Sequence, residues 1–162
     1  MKALRQGLFR SVTLAFLLVA SLARPALAHK DFGLGLIAGD PTGLSGKLWM
    51  DDTHAIDFAI GTFGYYLGSR YGGVNLHADY LWHHFGVFGR PGSEVYHRMP
   101  LYVGAGAVVS TPGAAAGARA VFGLSYLFPQ PFDVFLELAP TLVVAPSTGF
   151  GIDSGLGGRF YF

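Results

Sequence analysis

Residues 153–162, DSGLGGRFYF, alternate in character with the two-residue period of an extended strand. One face of such a strand holds Phe162, Phe160, Gly158 and Leu156. The opposite face holds Tyr161, Arg159, Gly157, Gly155 and Asp153. The first face is apolar and the second carries charge, which is typical of a strand between an apolar and a polar environment. We interpret this segment as the closing strand of a small transmembrane β-barrel.

The first 28 residues have the three parts of a secretory signal peptide. A basic start is followed by an apolar run over residues 12–23 and an A-x-A cleavage site at residues 26–28. A retained membrane helix is the alternative, but the run is shorter than the roughly 20 residues that a spanning helix needs, and it ends at Arg24 and Pro25. We therefore predict a Sec-type signal peptide at residues 1–28 and one barrel domain at residues 29–162.

Composition excludes several classes of function. Removing the signal peptide takes away four of the eleven Lys and Arg residues, which leaves seven against ten Asp and Glu and a net charge of −3. No basic patch remains for nucleic acid, and the absence of cysteine excludes disulfides and a lipoprotein anchor. The chain is 51% hydrophobic and only 13% charged, so its apolar surface must face something other than water. In lipid, only helices and closed barrels satisfy the backbone.

Eight short segments alternate with the period of a strand and are separated by turn residues. They cover residues 32–39, 44–50, 55–63, 74–84, 101–109, 118–128, 132–139 and 153–162. Residues 64–73 form a Gly- and Tyr-rich connection, and residues 85–99 are expected to form a hairpin that extends both neighbouring strands. The segments predict an all-β fold, an eight-stranded antiparallel up-and-down barrel.

Periodicity does not tell a membrane barrel from a soluble one, but the polar face does. In a soluble barrel this face would be dense in charge, whereas here it is mostly Gly, Ala and Tyr with about one charge per strand. We predict a network of polar side chains that fills the lumen: Lys47, Asp57, His77, Asp79, Arg119, Glu137 and Arg159. Because an unpaired buried ion costs several kcal/mol, we expect Arg159→Ala to destabilise the barrel more than Arg70→Ala, which changes a solvated connection.

Aromatic residues of the apolar face lie near segment ends, where membrane barrels carry aromatic girdles. These residues are Tyr80, Trp82, Tyr126, Phe128, Phe132 and Phe160. Ordinary core packing is the alternative for each residue taken singly. Together with the signal peptide and the terminal Phe, they favour a girdle.

The chain resembles the small eight-stranded outer-membrane barrel family that includes OmpX and the membrane domain of OmpA. The resemblance rests on the pattern, on the run GLGLIAGDPTG at residues 33–43 and on the final GGRFYF. It implies a monomer in the bacterial outer membrane, in contact with membrane lipid and lipopolysaccharide. It also implies that the barrel-insertion machinery recognises the C-terminal strand. Family members are structural barrels, adhesins, complement-binding proteins or narrow pores, and the external connections here are shorter than those of adhesive members.

Catalytic and metal-binding patterns are weak. His77, Asp79 and His83 share one parity, so a metal site is conceivable, but such residues more often complete a hydrogen-bond network, and we expect no metal or cofactor. Ser110, Ser125, Ser147 and Ser154 have no His at a matching position, as a lipid A deacylase-like enzyme would require. The sequence therefore predicts a non-enzymatic structural or surface-interaction role with an unidentified ligand. The alternatives are a lipid-modifying enzyme and a narrow pore.

Overall fold

The computed structural model describes residues 31–62, 73–111, 114–129 and 131–162. The predicted signal peptide, Phe63 and Arg70 lie outside these residues. Eight strands pair in chain order into a closed barrel, and each strand is antiparallel to its neighbours. They are β1 Phe32–Gly39, β2 Thr42–Trp49, β3 His54–Thr62, β4 Val74–His84, β5 Leu101–Ser110, β6 Ala115–Leu127, β7 Phe132–Ala145 and β8 Gly149–Tyr161. The predicted fold class is confirmed.

The first and last strands close the ring. In β1 and β8, Gly33 lies opposite Tyr161 and Gly39 lies opposite Gly155. The two backbones approach closely at Gly35, where an added Cβ atom would overlap the carbonyl oxygen of Gly158. Glycine in the opening segment therefore serves the packing of the closed wall.

The start of β1 and the end of β8 lie at one end of the barrel, which we call the termini end, and the other end is the far end. The termini end carries the connections β2–β3, β4–β5 and β6–β7, and the far end carries the other four connections. This arrangement follows from an even number of antiparallel strands.

Strands β1 and β4 have the predicted bounds, whereas β7 is longer than predicted. The predicted segment ended at Ala139, and Pro140, which lacks an N–H group, follows it. In the structure Pro140 lies within β7 opposite Ile152, and the strand continues to Ala145. The alternation resumes beyond the proline, since Thr141 and Val143 are buried while the residues between and after them are exposed. Pairing with β8 therefore outweighs the local effect of proline.

The prediction for residues 85–99 is wrong. Strand β4 ends at His84, and turns lead into a short helix, α1 Glu94–Arg98. Ser93 caps this helix by accepting a hydrogen bond of 3.3 Å from the backbone N–H of Tyr96, and Glu94 places an acid in the first turn. The backbone N–H of Gly86 donates to the Tyr96 carbonyl at 3.0 Å, which holds the connection together. In the part of the chain that the structure describes, no helix is long and apolar enough to cross a membrane.

Most outward positions of the strands are apolar, and every Asp, Glu, Lys and Arg of the strands points inward and is buried. Exposed examples, one from each strand, are Leu36, Leu44, Ile60, Leu76, Val109, Phe122, Leu138 and Leu156. The inward side chains include two small apolar clusters, one around Leu81 and Tyr102 and one around Ile37 and Phe135. The usual arrangement of a water-soluble protein is therefore inverted.

The six aromatic residues expected in a girdle lie on the outer face near the termini end. Tyr80 and Trp82 have ring centroids 4.9 Å apart, and Tyr126 and Phe128 have centroids 4.8 Å apart. Phe132 lies 5.6 Å from Phe128 and extends the group to the start of β7. All but Tyr126, which is half-buried, are exposed, so packing in a core does not explain them.

Candidate functional site

The barrel interior contains all seven of the polar residues singled out in the sequence. Each is at most 3% exposed: Lys47, Asp57, His77, Asp79, Arg119, Glu137 and Arg159. They do not form one continuous network of hydrogen bonds. They divide into a group around Arg159, a pair formed by Lys47 and His83, and a group around Arg119.

The first group, the Arg159 cluster, consists of Arg159, Ser45, Asp57 and Asp133. The guanidinium donates from Nη2 to both carboxylate oxygens of Asp57, at 2.8 and 2.7 Å, and from Nε to Ser45 Oγ at 2.9 Å. Its Nη1 lies 3.9 Å from Asp133 Oδ2. The Phe135 ring covers the guanidinium, with its centroid 3.7 Å from Cζ. This arginine is therefore hydrogen-bonded and stacked on an aromatic ring.

Tyr161 completes the environment of Asp133. Its hydroxyl donates to Asp133 Oδ2 at 2.8 Å. The other oxygen, Asp133 Oδ1, has no hydrogen-bond partner among the described residues. Asp133 therefore relies on one hydroxyl and on the nearby charge of Arg159.

Lys47 is bound to a neutral histidine. Its Nζ lies 2.7 Å from His83 Nε2, and His83 Nδ1 lies 3.1 Å from the carbonyl oxygen of Thr53. A carbonyl oxygen only accepts, so Nδ1 carries the ring proton and Nε2 accepts from the ammonium group. The Trp49 ring lies 4.4 Å from the same Nζ. In the β2–β3 register Lys47 is opposite Asp57, which places this cation beside the Arg159 cluster.

The second group, the Arg119 cluster, consists of Arg119, His77, Asp79, Glu137 and Asp153. Arg119 donates from Nη2 to Glu137 Oε1 and from Nη1 to His77 Nδ1, the latter at 2.9 Å. Arginine has no acceptor, so His77 Nδ1 accepts and the ring proton is on Nε2, 3.8 Å from Asp79 Oδ2. The Arg119 Nε lies 3.2 Å from Asp79 Oδ2.

Asp153 lies at the edge of this cluster. Its Oδ2 accepts from Thr141 Oγ at 2.7 Å and lies 3.9 Å from Arg119 Nη1. Its Oδ1 is buried without a hydrogen-bond partner among the described residues, as are both carboxylate oxygens of Asp79. The Arg119 cluster therefore has several acceptors that its single arginine does not satisfy.

The two clusters differ in charge. With all four groups ionised, Lys47 and Arg159 balance the charges of Asp57 and Asp133 at the first cluster. Arg119 faces three carboxylates, those of Asp79, Glu137 and Asp153. With these groups ionised the Arg119 cluster carries a net charge of −2.

The Arg119 cluster borders a depression at the far end, which we call the vestibule. It encloses about 420 Å³ when its open mouth is included. Its lining residues are Asp40, Pro41, Asn75, His77, Val108, Ser110, Ala115, Ala116, Arg119, Val143 and Asp153. The Arg119 cluster is therefore accessible from the far end of the barrel.

Several residues of the two clusters were not included in the predicted set. Asp133 and Asp153 are the most important, because they change the charge balance. Both could have been found from strand parity, since Asp133 shares a face with Glu137 and Asp153 shares a face with Arg159. Ser45 and Thr141 share the inward faces of Lys47 and Glu137, but their roles depend on partners in other strands, Arg159 and Asp153.

The conceivable metal group of His77, Asp79 and His83 is not brought together. Donor atoms of His77 and Asp79 lie within 4.8 Å of Glu137 instead, and the guanidinium of Arg119 contacts all three residues. His83 is engaged with Lys47. Arg119 therefore already supplies a positive charge to these three residues.

A serine nucleophile and a histidine base are not brought together in the described residues. No serine hydroxyl there is hydrogen-bonded to a histidine, as the mechanism of a lipid A deacylase-like enzyme requires. Ser110 and His77 both line the vestibule, but His77 is engaged with Arg119. Ser125 is buried, and its hydroxyl has no partner among the described residues.

No protein-family model matches this chain, and no curated protein matches its sequence. Among solved structures, the chain is similar to the crystal structure of the N-terminal β-barrel domain of Pseudomonas aeruginosa OprF, with a TM-score of 0.59 and 18% sequence identity. The similarity covers 81% of this chain and 96% of that domain. At this identity the two proteins share the fold, a closed eight-stranded β-barrel.

Proposed function

We propose that this protein is an integral β-barrel of the bacterial outer membrane with a structural or surface-interaction role and no catalytic activity. The observation that carries the proposal is the inversion of the barrel, with apolar side chains outside and paired ions inside. A soluble barrel would expose charge on its outer face to water. A barrel in lipid needs an apolar outer face and closed backbone pairing, and both are present.

The orientation follows from the even number of strands. In an outer-membrane barrel both termini face the periplasm, so the aromatic group at the termini end lies at the periplasmic interface. Helix α1 then lies on the periplasmic side, and the vestibule faces the cell exterior. An external ligand would meet the vestibule first.

The filled interior favours a structural role over a pore. Large side chains that are almost completely buried occupy the lumen, among them Tyr102, Phe135 and Arg159. Eight-stranded barrels have an interior just wide enough for side chains. A pore would need these side chains to move, and single-channel conductance in planar bilayers tests that alternative.

Cell fractionation tests the location. We expect the protein in the outer-membrane fraction, with a gel mobility that changes on boiling in detergent because the closed barrel resists unfolding at room temperature. Recovery in the soluble periplasm, with a mobility that boiling does not change, would contradict the proposal.

A substitution on the outer face tests the environment of the wall directly. Leu138, the seventh residue of the 14-residue β7, is 52% exposed. We expect Leu138→Arg to lower the free energy of unfolding in lipid vesicles by about 2–4 kcal/mol, because the charge lies near the middle of the bilayer. Val87→Arg is the matched control, since Val87 is 50% exposed but lies in the β4–β5 connection. Equal effects of the two substitutions would indicate that water covers the wall.

A further inference from the structure

The negative charge of the Arg119 cluster has no counterpart among the described side chains. Asp79, Glu137 and Asp153 are each at most 4% exposed, and they share one guanidinium. Buried carboxylates are costly unless their charge is compensated. With all three carboxylates ionised, the cluster lacks two positive charges.

Within the Arg119 cluster, the carboxylate that lines the vestibule is that of Asp153. Asp153 is 4% exposed and lines the vestibule. Its Oδ2 is held by Thr141, while its Oδ1 has no hydrogen-bond partner among the described residues. The Thr141 hydrogen bond orients the carboxylate and leaves Oδ1 as an available acceptor. Both oxygens of Asp79 lack hydrogen bonds as well.

We propose that the Arg119 cluster binds one hard divalent cation of the Ca²⁺ or Mg²⁺ class, which enters through the vestibule and takes Asp153 Oδ1 as a ligand. A charge of +2 balances the net charge of the cluster. Such cations prefer carboxylate and amide oxygens and retain water molecules, and the open vestibule supplies water. A soft, nitrogen-preferring metal is disfavoured, because His77 Nδ1 already accepts from Arg119.

A second buried acid offers a matched control. Asp133 also accepts one hydroxyl hydrogen bond, has a free Oδ1 and lies 3.9 Å from an arginine nitrogen. It differs from Asp153 in two respects, since its cluster is balanced in charge and it does not line the vestibule. If charge deficit and access determine binding, only the substitution of Asp153 affects it.

The test is isothermal titration calorimetry of the folded protein in detergent after treatment with a chelator, using CaCl₂ and MgCl₂ in turn. We expect one equivalent to bind and the thermal midpoint to rise with cation concentration, as linkage requires. NaCl at the same ionic strength is expected to give neither effect. Absence of binding by the wild-type protein, or a rise that NaCl reproduces, would overturn the proposal and indicate that protons compensate the cluster.

The variants locate the site. We expect Asp153→Asn to weaken binding by about tenfold or more, since even changes behind the ligands of metal sites have effects of that size. Asp133→Asn is expected to bind as the wild-type protein does. Equal affinity of Asp153→Asn and the wild-type protein would place the cation elsewhere and overturn the proposal. The wild-type titration decides the question of binding even if a variant does not fold, and it does not depend on the membrane location.

Discussion

The Arg159 and Arg119 clusters contain similar groups, but they differ in net charge and in access to solvent. In each cluster the arginine donates a hydrogen bond to one carboxylate. Each cluster also has an aspartate that lies 3.9 Å from an arginine nitrogen and accepts a hydrogen bond from a hydroxyl group. In the first cluster the charges cancel and Phe135 covers the guanidinium. In the second, acids outnumber the arginine and the vestibule adjoins it. Two equally buried clusters can therefore differ in their properties, because net charge and contact with solvent also determine how a charged cluster behaves.

The largest effect is expected for Arg159→Ala. The substitution leaves Asp57 without two hydrogen bonds in a part of the lumen that an aromatic ring covers. We expect a loss of about 3–5 kcal/mol in the free energy of unfolding, measured by urea titration in lipid vesicles. Arg90→Ala is the control, because Arg90 is exposed in the β4–β5 connection and Arg70 lies outside the described residues. Equal unfolding midpoints for the two variants would contradict a structural role for the interior ions.

Arg119→Ala is expected to lower the free energy of unfolding less than Arg159→Ala does, although more acids surround Arg119. Water from the vestibule can solvate the carboxylates that the substitution exposes. We expect about 1–3 kcal/mol by the same titration. A loss equal to or larger than that of Arg159→Ala would show that access to solvent does not distinguish the clusters.

Removal of a whole ion pair is expected to lower the free energy of unfolding less than removal of one partner does. The double variant Asp57→Leu with Arg159→Met removes the arginine and its bonded carboxylate together. Asp133 loses the nearby arginine but keeps the hydrogen bond from the Tyr161 hydroxyl. We expect this variant to be more stable than Arg159→Ala by at least about 2 kcal/mol. Additive losses in the double variant would indicate that packing, and not charge, explains the effect of Arg159.

The smallest effect on stability is expected for a substitution at a solvent-exposed carboxylate. Asp51, in the β2–β3 turn, is exposed and accepts from the backbone N–H of Thr53 at 2.7 Å and of His54 at 2.8 Å. These hydrogen bonds lower the pKa of Asp51 below its ordinary value of 3.8. A lowered pKa stabilises the folded state fully above the ordinary value, and this contribution is lost as the pH falls below it.

We therefore expect Asp51→Ala to lower the thermal midpoint slightly at neutral pH, with the difference from wild type shrinking as the pH falls below 3.8. The midpoint is measured by circular dichroism across the pH range. Asp52→Ala, a change at the exposed neighbour, serves as the control. A difference that does not depend on pH would show that the turn does not rely on the ionised carboxylate.

Strand alternation made the wall of the barrel predictable. Strand β4 shows this best, because Leu76 and Trp82 point outward and His77 and Asp79 inward, and both bounds follow from the sequence. Alternation reports which face a side chain occupies, and that property is local.

The grouping of charges was not predictable in the same way. Arg159 and Asp57 are 102 residues apart in the chain, and their contact depends on the register of the whole ring. The prediction for the β4–β5 connection was wrong for a different reason. The prediction extended the two neighbouring strands into a hairpin, whereas Ser93 caps a helix and Glu94 lies in its first turn.

The pairing of β1 with β8 has a consequence for biosynthesis. Residues 33–39 leave the ribosome long before residues 155–161, yet each segment supplies the other's hydrogen-bond partners. Until translation has delivered the last strand, the first strand has one edge of unpaired amides and carbonyls, which is a template for aggregation. The nascent polypeptide therefore needs protection from aggregation until its last strand is made.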